Sequence, residues 1–145
     1  MRVLLDTNVM VDVLQRREPW FADGQTIFYA VASRKITGCI TTKEAADLHY
    51  FSRKQFKGEE HVDAKARQVM AKLFSLFELI DTLGDDCKNA LALSNNDYED
   101  AIMIESCSRS KVDCIITRNP DHFSVSPVPV YLPSDFVRIL NEHKV

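Results

Sequence analysis

Apolar residues along this chain fall into two kinds of pattern. Short apolar or β-prone runs at residues 3–5, 38–41, 79–80 and 112–117 predict strands, and those buried on both faces of a sheet need no polar alternation. Between them the apolar positions recur at helical spacing. Helices are expected at residues 9–14, 20–33 (Ile27, Phe28, Val31 and neighbouring alanines inward), 42–51 (Ala45, Ala46, Leu48, His49) and 85–94. A long amphipathic helix at 61–77 carries Val62, Ala66, Val69, Met70, Leu73, Phe74 and Phe77 as its inward stripe. Another opens near Asp97, with Ile104 and Cys107 facing the core. Residues 128–132 contain Pro129 and read as an edge strand, and Ser134 or Asp135 is placed to cap a last helix at 136–142. Strand and helix alternate throughout, which argues for an α/β sheet.

Composition fits that picture. A chain of 145 residues, 46% hydrophobic and 27% charged, suits one domain spanning 1–145. No run approaches a membrane span, and the first strand starts at once, leaving no room for a signal peptide. Cys39, Cys87, Cys107 and Cys114 lack CxxC spacing, and three lie in apolar or helical runs, so reduced core thiols and a cytoplasmic location are expected.

The net charge of −3 neither announces nor excludes a nucleic-acid partner, but its distribution is uneven. Residues 51–72 hold six bases, among them Arg53, Lys54 and Lys57, against three acids. Residues 78–105 hold eight acids against Lys88 alone. A basic segment facing an acidic pocket can bind a polyanion through metal ions; two solvated helix faces give the same counts.

The acids sit at telling places. Asp6 ends the first strand, and in open parallel sheets the ligand crevice lies outside the carboxyl ends of the strands. Glu44 falls in a first helical turn, Asp97 and Asp100 lie three apart at a helix start, and Asn119 and Asp121 follow the fourth strand. Each has a plain structural role open to it. Asp6 or Asn8 can cap a helix, Thr41-Thr42-Lys43-Glu44 has capping-box spacing, Asp97 and Asp100 fit a cap, and Asn119-Pro120-Asp121 is an ordinary turn. In a parallel sheet, however, all these positions converge on one rim. Carboxylates about 5 Å apart at an effective dielectric of about 20 repel by roughly 3 kcal/mol, so protons or cations must intervene. Oxygen donors without histidine or thiolate point to Mg²⁺ or Mn²⁺.

LLDTNVMVD, Glu44 in ITTKEAADL, DYEDAIMIESC and CIITRNPDHF, in that order, resemble the successive acidic motifs of the PIN domain family across nearly the whole chain. The resemblance implies a three-layer α/β/α sandwich around a mainly parallel sheet and an Mg²⁺- or Mn²⁺-dependent ribonuclease. It makes Asp6, Glu44 and Asp100 the catalytic acids, with Asp97 an additional metal ligand one helical turn earlier. At the fourth position the family commonly has Thr-x-Asp; here Thr117-Arg118-Asn119 offers an amide, and Asp121 is the nearest carboxylate to replace the lost charge. Asn8, Thr117 and Asn119 are supporting residues, and Arg53, Lys54 and Lys57 are candidates for RNA contact. Many small bacterial members are toxins of the VapC type held inactive by an antitoxin, so an antitoxin partner and a homodimer are expected as well. The expected function is endoribonucleolytic hydrolysis of RNA by a metal-activated water. The alternative is a catalytically weak PIN-like module that binds RNA or protein, which Asn119 favours. A phosphatase of the haloacid-dehalogenase type also begins with an aspartate after its first strand, but would need a second two residues later, where this chain has Asn8.

Overall fold

The computed structural model describes residues 1–143. Five parallel strands form one sheet in the order β3-β2-β1-β4-β5: β1 (Arg2–Leu5), β2 (Thr37–Thr41), β3 (Glu78–Ile80), β4 (Cys114–Ile116) and β5 (Val130–Tyr131). Among the described residues seven α-helices accompany them: α1 (Thr7–Leu14), α2 (Phe21–Ala32), α3 (Thr42–Gln55), α4 (Val62–Leu76), α5 (Gly84–Ala90), α6 (Tyr98–Arg109) and α7 (Pro133–Glu142). A 3-10 turn at Pro120–Phe123 follows β4.

The period of two along each strand divides the core. Val3 and Leu5 of β1, with Cys114 and Ile116 of β4, pack into one cluster with Val9, Ile27, Leu48, Met70, Phe136 and Leu140 from α1–α4 and α7. Leu4 and Ile115, pointing the other way, join Met103, Ile104, Cys107 and Phe123. Helices thus cover both faces, and the expected three-layer α/β/α architecture is the one observed. Gly38 sits where the layers come closest, since a Cβ there would lie 2.6 Å from the Phe77 ring and 2.8 Å from Val31. Cys39, Cys107 and Cys114 are buried free thiols, as expected. Among the described residues no helix is long and apolar enough to cross a membrane.

Several boundaries differ from the sequence expectation. α3 runs on to Gln55, and α5 stops at Ala90, beyond which Leu91, Ala92 and Leu93 make only tight three-residue hydrogen bonds. Phe74 is 43% exposed, so it does not belong to the inward stripe of α4. Ser134 and Asp135 do not cap α7; the helix starts earlier, with Leu132 at the N-cap and Pro133 in the first turn, where a missing N–H costs nothing and the fixed φ is already helical.

The strand order sets the site. Going outward from β1, the chain fills one side of the sheet with β2 and β3, then crosses to the other side with β4 and β5. The order therefore reverses between β1 and β4, and the crevice of an open α/β sheet lies at the carboxyl ends of the two strands flanking that reversal. Here those ends are Asp6 and Thr117.

Candidate metal centre

Asp6 follows β1 directly, and its backbone amide donates to the Ile116 carbonyl at 2.9 Å, which holds it against β4. It caps α1: Oδ1 accepts from the Thr7 amide at 2.7 Å, and Oδ2 accepts from the buried Thr117 hydroxyl at 2.7 Å. Capping and a position in the crevice are therefore both true of Asp6. Burial raises its carboxyl above the ordinary aspartate range, and the bonds from Thr117 and Thr7 offset that only in part.

Glu44 makes the expected capping box with Thr41, its Oε1 accepting from the Thr41 amide at 2.9 Å and hydroxyl at 3.2 Å, while the Glu44 amide donates to the Thr41 hydroxyl at 3.1 Å. That box accounts for one oxygen only. Oε2 meets just the Thr7 hydroxyl at 3.4 Å, although Glu44 is fully buried. Burial first, and the Asp6 charge second, push its carboxyl well above the usual glutamate value.

Asp97 caps α6 by accepting from the Asp100 amide at 3.2 Å. Asp100, 16% exposed in its side chain, faces the same cleft and is pushed up to about 6 by burial, then by Asp6 and Asp97, against the opposing pull of His122. A cleft of about 270 Å³ is lined by Asp6, Thr7, Asn8, Asp97, Asp100, Asn119 and His122, together with Arg17 and Phe51. Among the described residues no lysine or arginine forms an ion pair with Asp6, Glu44, Asp97 or Asp100. Lys43 is nearby but spends its ammonium on Asp47 (2.7 Å) and Glu99 (3.0 Å). Arg118, adjacent to Thr117, turns away to Asp12 at 2.7 Å and stacks on Trp20 with its guanidinium 4.0 Å from the ring centroid.

The fold thus brings Asp6, Asp97, Asp100, Asn8 and Asn119 to one cleft, with Glu44 and Thr117 buried behind it. Asn8 accepts from the Arg118 amide at 3.3 Å, and the Asn119 amide donates to the Thr117 hydroxyl at 3.0 Å. Asp121 is not brought in. It is exposed on the 3-10 turn and does not line the cleft; His122, which the sequence reading passed over, does, with Nδ1 2.9 Å from Asp100 Oδ2. Ligand atoms of Asp97, Asp100 and His122 all lie within 4.8 Å of one another. Carboxylate, amide and imidazole donors fit a divalent cation of the Mg²⁺ or Mn²⁺ class, and buried or half-buried carboxylates without a lysine or arginine partner are what such an ion would neutralise.

Arg53, Lys54 and Lys57 lie outside the cleft, on the last turn of α3 and the loop after it. They line a shallow groove with Tyr50 and Val62. Lys54 also borders a second depression with Arg17 and Phe51, both of which reach the acidic cleft. The basic segment and the acids are therefore joined by a continuous strip of surface.

Solved structures of similar fold include VapBC2 from Rickettsia felis bound to a DNA fragment from its promoter (15% identity, 91% of this chain and 98% of that one, TM-score 0.61). A toxin-antitoxin complex from Klebsiella pneumoniae (21%, 90% and 97%, 0.64) and FitAcB from Neisseria gonorrhoeae (14%, 91% and 98%, 0.64) are also similar. No curated protein matches the sequence. A family model described as the PIN domain matches residues 2–121. With that match over most of its length, and with its acids gathered at the sheet's reversal point, the chain belongs to the PIN domain family.

Proposed function

We propose that the protein is a divalent-cation-dependent endoribonuclease and the toxin of a toxin-antitoxin pair. The observation that carries the reading is a set of buried or half-buried carboxylates, Asp6, Glu44, Asp97 and Asp100, that has no lysine or arginine partner among the described residues and opens onto a cleft. Asp6, Glu44 and Asp100 would hold the cation, with Asp97 and Asn119 at its margin. When bound, the cation supplies Lewis acidity, polarising a phosphate oxygen and making a water more acidic. The chain's own residues do the rest. Thr117 and the Thr7 amide fix both oxygens of Asp6, so that its carboxylate needs no reorganisation to receive charge. Thr41 fixes Oε1 of Glu44 and leaves Oε2 with only the long contact to the Thr7 hydroxyl. Asn8 has its carbonyl committed to the Arg118 amide, which leaves its NH₂ to meet a phosphate oxygen.

Substrate would follow the strip from the cleft past Arg17 and Phe51 to Lys54, Arg53 and Lys57. Positive side chains there would track the phosphates, and Phe51 and Tyr50 offer ring faces on which unpaired bases can stack. The similar structure from Klebsiella pneumoniae is a toxin-antitoxin complex, which supports an inhibitory protein partner here. A homodimer would join two basic strips into one surface; a dimeric mass by light scattering at tens of micromolar is the expected result.

Incubation of a mixed RNA pool with the protein and Mn²⁺ should give cleavage that EDTA stops and that Asp6→Asn lowers by about a hundredfold or more, since even outer-shell changes around metal ligands cost 10- to 100-fold. Mn²⁺ binding without cleavage would favour the alternative, a PIN-like binding module, to which the amide of Asn119 at the fourth acidic position lends support.

A further inference from the structure

The fourth acidic position, where the sequence supplies the neutral Asn119, is met in space by an imidazole. We infer that His122 is a nitrogen ligand of the cation held by Asp6, Glu44 and Asp100, on the side that Asp97 borders, which makes the centre a mixed nitrogen-oxygen site selective for Mn²⁺ over Mg²⁺. The inference rests on reading the cleft as a divalent-cation site, and it concerns which atoms hold the ion and which ion they prefer.

His122 is built into its place. Phe123, 1% exposed, anchors the 3-10 turn in the core, and the His122 amide donates to the Asn119 carbonyl at 3.1 Å. The side-chain amide of Asn95 donates to the Asp97 carbonyl at 2.8 Å and to the His122 carbonyl at 3.4 Å, so the two ligand-bearing segments are tied to each other rather than merely adjacent. Donor atoms facing each other across an octahedral ion with bonds of about 2.1 Å stand about 4.2 Å apart. Adjacent donors on such an ion stand about 3.0 Å apart, so the Asp97, Asp100 and His122 donors, all within 4.8 Å of one another, would close on it by side-chain rotation of about 1–2 Å. The nitrogen that faces the shared site is Nδ1, which would exchange its hydrogen bond to Asp100 for the ion while Asp100 turns an oxygen to the same ion.

Ion preference follows from donor chemistry. Mg²⁺ favours hard oxygen donors and keeps its waters, whereas imidazole suits later first-row ions and is better tolerated by Mn²⁺. Replacing a fourth carboxylate by imidazole and amide also removes one negative charge from the donor set. That weakens the Coulombic pull on which Mg²⁺ mainly depends.

Mn²⁺ and Mg²⁺, each alone, are titrated calorimetrically into the metal-free full chain, and the Mn²⁺-loaded protein is read by pulsed electron paramagnetic resonance for ¹⁴N coupling. Mn²⁺ should bind at least about tenfold tighter than Mg²⁺ and show a nitrogen coupling. His122→Ala should lose the coupling and about tenfold or more of Mn²⁺ affinity, with Mg²⁺ less affected. His122→Gln, which can still hydrogen-bond Asp100, should not rescue either, whereas His122→Asp should lose the coupling yet narrow the gap between the two ions. Mn²⁺ binding that Asp6→Asn weakens, but without ¹⁴N coupling in the parent or with full affinity in His122→Ala, overturns the inference and leaves the cation site standing. Failure of the parent to bind either ion overturns both.

Discussion

Glu44 and Asp86 occupy the same local position and face opposite surroundings. Each is the third residue of a helix, each is buried, and each reaches back to the backbone amide three residues earlier, Thr41 for Glu44 and Leu83 for Asp86, both at 2.9 Å. Around Asp86 the rest of the fold supplies compensation. Arg109 of α6 donates to Oδ1 at 3.0 Å and to Oδ2 at 2.9 Å, and the buried Ser106 hydroxyl adds a bond at 2.9 Å. Burial alone would raise the Asp86 carboxyl, but Arg109, the Leu83 amide and Ser106 together outweigh it and hold it below the ordinary value. Around Glu44 burial drives the carboxyl up, and the charge that adds to it is another acid, Asp6, rather than a base. The comparison teaches that a capping motif does not separate structural from functional acids. What separates them is whether the protein itself supplies the opposite charge.

The largest expected effect comes from making Asp86 resemble Glu44. Arg109→Ala leaves a carboxylate buried with one hydroxyl and one amide, and should cost about 2–3 kcal/mol in urea melts, toward the low end for a broken buried pair because the arginine is itself 37% exposed. A loss under about 0.5 kcal/mol would mean that solvent already screens Asp86, and the contrast with Glu44 would collapse.

Next comes the same chemical change made on both sides. Asp86→Asn gives up charge-assisted bonds and should destabilise by about 1.5–2 kcal/mol. Glu44→Gln keeps the amide-accepting oxygen of the capping box and deletes an uncompensated charge, so the metal-free variant should be more stable than its parent by about 1 kcal/mol, or roughly 3 °C in Tm. Saturating Mn²⁺ should reverse the order for Glu44→Gln by stabilising the parent more, since an ion that binds only the folded state stabilises it by mass action. Two losses of equal size in the metal-free proteins would demote Glu44 to a cap.

Much of this was legible in the sequence because both fold and site follow short-range rules. Unbroken apolar runs predict buried parallel strands, and their carboxyl ends locate Asp6 and Thr117 before any packing is known. The acids at helix starts, Glu44, Asp97 and Asp100, were found the same way. Asp86 shows where that logic stops: it too opens a helix, and only the packing of α5 on α6 gives it Arg109, a partner 23 residues away. His122 was missed because the turn geometry after Thr117 decides which side chain enters the cleft. The 3-10 turn leaves Asp121 outside and brings in its neighbour, and the one signal was a histidine beside Phe123, the turn's apolar anchor. Phe74 failed for the opposite reason, since helical spacing alone does not say how wide the covered face of α4 is.

The smallest expected effect is a difference in pH dependence, which tests the same contrast on a second acid of the cleft. In the metal-free protein Asp100 is held near 6, above an unfolded value of about 3.9. A carboxyl raised by folding favours the folded state below the unfolded pKa and loses that contribution as pH rises through the folded one, so stability should fall between pH 5 and pH 7. For one group at this position the fall is about 1 kcal/mol. Asp86 has the opposite sign. Its depressed carboxyl contributes above the unfolded pKa and loses that contribution only as pH drops toward its folded value, so it is flat across the same window. Histidines also titrate there, which makes the difference between the parent and Asp100→Asn the proper readout. Asp100→Asn, having no carboxyl to protonate, should lack the Asp100 share of the fall, while the fall in Asp86→Asn should match the parent's. Saturating Mn²⁺ should remove the Asp100 share from the parent too, because a bound cation favours the ionised form. Equal slopes for the metal-free parent and Asp100→Asn would show that the cleft acids carry no excess charge, and the distinction between a paired and an unpaired acid would no longer identify the site.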